Sequence, residues 1–491
     1  MNSPQSSAFN RRSFLAAAGL VASGTVVSSA FADADTGKAY LLRPGGGRLY
    51  RVRVEMDTKG NVHLAKNPMA SKEIAIRVPL KAESVLDYEE RLLAIDKTAD
   101  ATSASQRYYH DAQSTSTLNG KETTSRLRKI ARTTIVRQGS RTEQTGAGEM
   151  AGSRAMEYSV QDYFRQDELD LLYVPVCSLA VDSVLPESPI AKGQVVKVNE
   201  DAIARMMNVG GVQDSDVTIE LFDIDDSSAK LKLDGTLSAS VNGVLTKIEL
   251  KGKLTFDRKL KTCTWCAIAM RERREIGIGE PGFEVAATVR MIRKPLKTPQ
   301  RLPKELDAGA AQKLLANRIP SENLLVDIQS QPMRFGVLAD RRWRIVHDVH
   351  GNTMIRMVDN DRSIAQVELK PLQALKAGKQ LTLEGFKRDI QQSMGSRIRD
   401  VVTGEQTVNS AGLRVLRVVV SGMVQDIAMQ WIYAHISDDS GRRMLATFTM
   451  SGDSVEQFAR SDVQMLGSMR WMERKIETAA EKQRDKVGKR Y

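Results

Sequence analysis

Aromatic residues make up only 5% of this 491-residue chain, which holds three cysteines and five histidines. So few cysteines exclude a disulfide-stapled scaffold. Structural zinc takes four cysteine or histidine ligands, and no second pair lies at a useful spacing. The chain also lacks a G-x-S-x-G elbow, an H-E-x-x-H helix and a Walker loop, which removes the chemistries those motifs carry. Carboxylate pairs that meet only in the fold leave no local signature, so an enzyme of unrecognised type stays open. Beyond the N-terminal segment no apolar run reaches the ~20 residues needed to span a bilayer. What is present is a basic chain, 27% charged and 41% hydrophobic with a net charge of +12, long enough for two or three domains.

The N-terminal stretch "NRRSFLAAAG" places Arg11 and Arg12 before Phe14 and Leu15, and a mild apolar run then leads to "SAFADA". A charged start, an apolar middle and an A-x-A pattern ending in Ala30 and Ala32 form a signal peptide cleaved after Ala32. The segment resembles a twin-arginine signal, with Ala16 where that family usually has lysine. The resemblance implies export of a folded protein to the periplasm or beyond. Cleavage removes two arginines and no acids, so the mature charge is +10. An exported protein seldom meets nucleic acid, and its positive charge suits solubility, anionic lipid head groups or cell-wall polymers.

From Leu49 to about Ile292, apolar residues alternate with polar ones, the mark of half-buried strands. Asn119-Gly120 and Asn242-Gly243 read as type I′ hairpin turns, and Asn199 caps a short helix over Asp201–Met207. The charged stretch "LDYEERLLAIDK" has no firm assignment. Pro295, Pro299, Pro303 and Pro320 bracket a connector containing the short helix "KELDAGAAQKLLANR". These signals divide the chain into a signal peptide (1–32), an antiparallel β-rich domain (37–294), a linker (295–322), a C-terminal domain (323–472) and a charged tail (473–491).

In the C-terminal domain Thr382 caps a helix over Leu383–Met394, and three strands follow. A last helix is expected from Asp453 to Met469, burying Val455, Phe458, Leu466 and Met469. This order, with "DRRWRIVHD", "SIAQVEL" and the closing "VEQFARSDVQMLGSMRW", resembles the PsbP and DcrB group of small α/β sandwich domains. That resemblance implies assembly or binding rather than catalysis, and it carries over no catalytic residue. The expected class is α+β: a large curved antiparallel β domain, similar in architecture to the half-barrels of lipoprotein carriers, followed by a small α/β sandwich.

Among possible chemical sites, "KTCTWC" presents Cys263 and Cys266 as C-x-x-C. Its flanks read as strands, and strict alternation puts the two thiols on opposite faces, too far apart to pair. Cys177, the only other thiol, could bond one of the two across strands in an oxidising compartment; packed free thiols are the expectation. "HDVHG" places His347 and His350 near Asp348, where a turn would let them converge on a metal; strand spacing would separate them. "GIGEPG" (Gly277–Gly282) matches G-x-G-x-x-G, but Pro281 and the strand after it make it a loop. "FDIDDSSAK" and "VDNDRS" lack the spacing of a calcium loop and read as hairpin turns. No cofactor is implied. The sequence leads to an exported, non-catalytic binding protein for an envelope lipid, glycan or protein. The alternative is a structural or assembly protein that works through a partner.

Overall fold

The computed structural model describes residues 38–473, apart from 46–47, 66–73, 96–102, 140–153, 279, 305, 307 and 317–318. Arg11, Arg12, Ala30, Ala32 and the tail after Glu473 lie outside the described residues. The described residues divide into one unit of 38–326 with Val358–Ser363, and another of Asp327–Met357 with 364–473. Strands account for 57% of the structure and helices for 15%. This overturns the α+β class with a terminal α/β sandwich: the protein is mostly β, built from large antiparallel sheets.

In the first unit, thirteen strands form one antiparallel sheet. Its central path runs Thr218–Ile224, Ser228–Val241, Val244–Asp257, Thr262–Arg274, Gly282–Pro295, Leu49–Ala65, Ile74–Ile95 and Ser103–Leu118. Asn242-Gly243 (φ 54° and 81°) and Asn119-Gly120 (φ 50° and 76°) close two of its hairpins in the left-handed conformation such turns require. The unassigned stretch around Glu89 belongs to the strand Ile74–Ile95, whose alternation runs on through Tyr88 and Glu90; the register shift at Asp87/Tyr88 adds His110 to the neighbouring strand.

Alternation buries one face of this sheet. Leu231, Leu254, Cys266, Met291, Val54, Leu86 and Ala112 lie directly opposite one another in turn across seven strands, and all are buried. What covers that face is the chain's own segment 164–209. Its helices Gln166–Leu172 and Glu200–Met207 contribute Leu171, Ile203 and Met206, and the stretch between them adds Val176, Val181 and Ile190, all packed with the sheet residues. Asn199 caps the second helix by accepting from the amides of Asp201 and Ala202. At roughly 25 cal/mol per Å² of apolar surface removed from water, this face supplies the main driving force for the unit.

Part of the proline-rich connector is held against the opposite face. Glu89 is fully buried there, and its carboxylate accepts from the amides of Gln300 (2.9 Å), Arg301 (3.1 Å) and Leu302 (3.1 Å) and pairs with His110 Nε2 at 2.6 Å. Burial opposes the charge of Glu89, but His110 and the three amides outweigh it and lower its pKa. Arg91 donates to the carbonyl of Pro303 at 2.9 Å.

The second unit contains a seven-stranded antiparallel sheet in the order Trp343–Val349, Asn352–Asp359, Arg362–Leu372, Arg443–Ser451, Ile427–Ser437, Arg414–Val424 and Ile398–Val408. The expected three-stranded meander is thus the centre of a wider sheet. Thr382 caps the helix Leu383–Met394 through the amide of Gly385, and Phe386, Ile390 and Met394 pack on Leu416, Val418, Val420 and Trp431. The single terminal helix expected after Asp453 is broken. Ala459 and Arg460 are left-handed (φ 50° and 57°), so Val455–Phe458 and Ser461–Gly467 are separate helices. The break lets Trp343 set its ring edge-on to Phe458 and donate its indole N–H to Ser461 Oγ at 2.9 Å.

His435 lies on the Phe386 side of this sheet, opposite Leu416 and Leu445, with its ring 5.8 Å from that of Phe386. It is fully buried, and neither ring nitrogen has a hydrogen-bond partner among the described residues. Burial, reinforced by Arg443 and Arg414, lowers its pKa to about 4. The folded state favours the neutral ring, so stability is complete above the ordinary pKa near 6.5 and falls as pH drops from there towards 4. The loss over that window is about 3 kcal/mol. We expect the unit to melt at lower temperature at pH 5 than at pH 7 and His435→Leu to reduce that difference; equal pH dependence in both proteins would refute the assignment.

Candidate functional site

The densest cluster of ionisable groups lies on the buried face of the long sheet. Glu90 and Arg107 are directly opposite on neighbouring strands, with Arg107 Nε donating to Glu90 Oε1 at 2.8 Å. Arg107 also reaches Glu157 Oε2 at 3.3 Å and Ser178 Oγ at 3.1 Å, and its guanidinium lies 4.7 Å over the ring of Tyr88. Ser105 and Ser178 donate to Glu90 at 3.0 and 2.8 Å, while Tyr109 and Thr134 donate to Glu157 at 3.1 and 2.6 Å. The two carboxyl groups share one guanidinium, and their proton affinities separate. Burial works against ionising Glu90, yet Arg107 and Arg293 prevail and its pKa falls; burial prevails at Glu157 and its pKa rises.

A second buried link joins Arg293, whose Nη1 donates to Asp182 Oδ2 at 2.8 Å while its guanidinium lies 4.4 Å over Tyr50. Asp182 also accepts from the amide of Cys263 at 2.6 Å and from Thr262 Oγ1 at 3.0 Å. Ser178 and Asp182 both belong to the covering segment, so these contacts fasten it to the sheet. Val176, two residues before Ser178, takes φ 63°, costly for a β-branched residue and tolerable only where its surroundings fix the backbone. Tyr88, Glu90, Arg107, Tyr109, Glu157 and Ser178 are all buried. Split carboxyl groups of this kind can serve acid–base chemistry; here both are buried, and Glu90 holds Ser178 of the segment.

The sequence signal for this cluster was a pair of charged stretches, "DYEER" and "SQRYY"; in the first both Glu89 and Glu90 are buried, and just after the second the phase changes at His110, which the register shift at Asp87/Tyr88 leaves unpaired. Cys263 and Cys266 depart from expectation for a similar reason. A register shift where Thr255 pairs with Trp265 and Phe256 with Cys263 puts one extra residue between the thiols, and both face inward, fully buried. All three cysteines are free. Burial pushes the Cys266 thiol up to about 12 and raises those of Cys263 and Cys177 as well, which leaves them protonated and unreactive.

The two histidines do not converge. His347 is half-buried in the strand Trp343–Val349, and His350 is exposed at the following turn, with Nδ1 3.4 Å from the carbonyl of Pro332. Asp348 accepts instead from Ser330 (2.6 Å) and Thr353 (2.8 Å). No group of three metal-ligating side chains occurs among the described residues. Gly277–Gly282 joins two strands, as its proline implied.

The outward face of the long sheet is charged and exposed. Lys232 is directly opposite Lys253, Lys59 opposite Lys81 and Lys247 opposite Arg273. Like charges placed so cost stability. One member of each pair is compensated, Lys232 by Glu220 at 3.3 Å, Lys81 by Glu83 at 2.8 Å and Arg273 by Glu284 at 3.3 Å. Lys247, Lys253 and Arg271 carry no ion pair among the described residues. No helix of the described residues is long and apolar enough to cross a membrane.

No protein-family profile matches the chain, and no curated protein matches it. Among solved structures, a Mog1 E65A mutant aligns over 30% of this chain and 96% of its own at 7% identity, with a TM-score of 0.25. A lipovitellin structure aligns over 53% of this chain and 26% of its own at 8% identity and TM-score 0.28. The immunity protein TplEi from Pseudomonas aeruginosa aligns over 52% of this chain and 95% of its own at 10% identity and TM-score 0.19. Likeness at these scores carries no argument about fold or function.

The buried pair gives a direct test. Arg107→Met leaves Glu90 buried without its counter-charge and is expected to lower stability to denaturant by about 3–5 kcal/mol. Adding Glu90→Gln should recover part of that loss, because the two side chains are coupled. Additive losses in the double variant would show that the pair does not act as a unit.

Proposed function

We propose that the protein is an exported binding protein that recognises an anionic envelope component through the outward face of its long sheet. The observation that carries the reading is the set of directly opposed cations on that face, Lys232 with Lys253 and Lys59 with Lys81, in each of which an acid compensates one member only. A sheet gains nothing from such pairs, whereas an anionic ligand bound across them relieves the repulsion. The opposite face is already filled by segment 164–209, which directs recognition outward. Export through the twin-arginine route belongs to the same reading: Arg11 and Arg12 precede an apolar run and an A-x-A site, and the mature protein then works in the periplasm or outside the cell.

The test is sedimentation of the purified protein with envelope fractions over a range of salt. Binding between exposed charges weakens as the screening length shortens, so the bound fraction should fall steeply with added salt. The variant Lys247→Glu/Lys253→Glu/Arg271→Glu, with its fold checked by circular dichroism, should bind at least about tenfold more weakly, given roughly 1 kcal/mol for each cation near an anionic surface. Salt-independent binding, or a variant that binds like the parent, would remove the proposal.

A further inference from the structure

Within the outward face one patch combines cations with exposed apolar side chains. Trp265 is half-buried and sits directly opposite Ile292, which is 41% exposed. Arg53 follows Ile292 in the same cross-strand row, and the adjacent row places Lys253, Ala267 and Arg290 opposite one another. An indole opposite a branched alkyl side chain stabilises the pairing of its strands modestly, and on the open face of a sheet, which is ordinarily polar, it leaves apolar surface exposed to water. We infer that this patch rests on the surface of a bilayer containing anionic lipid. The inference rests on the proposed binding role and names its ligand.

The chemistry distinguishes a bilayer from a soluble polyanion. Tryptophan favours the interface between head groups and acyl chains, where its ring is apolar and its N–H stays hydrated. Cations at the same level meet lipid phosphates. A soluble polyanion would engage Lys253 and Arg290 but gain nothing from Ile292. Arg53 pairs with Glu55 at 2.8 Å and Arg290 approaches Asp57 at 3.9 Å; exposed pairs of this kind contribute little and exchange readily for phosphate. Lys253 has no such partner among the described residues. The patch is small, so the attachment is peripheral and reversible.

The experiment uses the full chain with phosphatidylcholine vesicles made with and without phosphatidylglycerol, and a matched set with brominated acyl chains. Trp343 and Trp431 are buried and Trp471 is half-buried, so comparison with Trp265→Phe isolates the emission of Trp265. We expect sedimentation with phosphatidylglycerol vesicles only, quenching by brominated lipid that Trp265→Phe largely abolishes, and roughly tenfold weaker binding for Lys253→Glu/Arg290→Glu. Equal binding to both vesicle types, or quenching unchanged in Trp265→Phe, would overturn the inference. Binding to heparin without binding to vesicles would overturn it too, while leaving the anionic-ligand reading in place. Failure to bind either would end both.

Discussion

Everything in the first unit follows from the need to hide one side of a very long antiparallel sheet. A two-residue period puts every second side chain on that side, and across seven paired strands the consequence is a continuous apolar surface running from Leu231 to Ala112. Such a surface cannot stay open to water. The chain covers it with its own segment 164–209, secured by a few charged contacts rather than by apolar packing alone. The Glu90–Arg107–Glu157 group is expensive to bury, and its worth lies in selecting one seating of the segment, since an apolar surface alone discriminates poorly between alternatives.

Much of this could be read from residues. Alternation located the strands, Asn-Gly pairs their turns, and Asn199 and Thr382 the helix starts, because each depends on local chemistry: a pleat, a left-handed turn, an orphan amide. The features missed depend on pairing between distant strands. The register shift beside Trp265 turns Cys263 to the same side as Cys266, and no property of "KTCTWC" alone reveals it. The stretch around Tyr88 looked unlike a strand because both its faces are covered, one by segment 164–209 and the other by Gln300–Leu302. In the second unit, the left-handed pair Ala459-Arg460 interrupts what reads as a continuous helical pattern, since neither residue is a glycine or proline that would mark the break. The α+β expectation failed for the same reason: strands such as Ile398–Val408 are largely exposed and lack the apolar alternation that announces a strand.

The two faces of the sheet also divide the question of function. The buried side holds the groups with the most disturbed proton affinities, and there they are occupied with structure. On the exposed side, cations oppose one another across strands in a way that folding does not reward. Charge placement relative to strand register is the more informative signal here.

The strand order carries one more consequence, for the timing of folding. Leu49–Ala65 is made long before one of its two neighbours in the sheet, Gly282–Pro295, with Val54 facing Met291. The middle of the sheet therefore cannot close until Gly282–Pro295 has been synthesised. Contacts so remote in sequence make folding slow, and until they form the nascent chain exposes the apolar side of a long strand with an unpaired edge, a form prone to aggregation. Protecting that strand during synthesis is a demand the topology places on the cell that makes the protein.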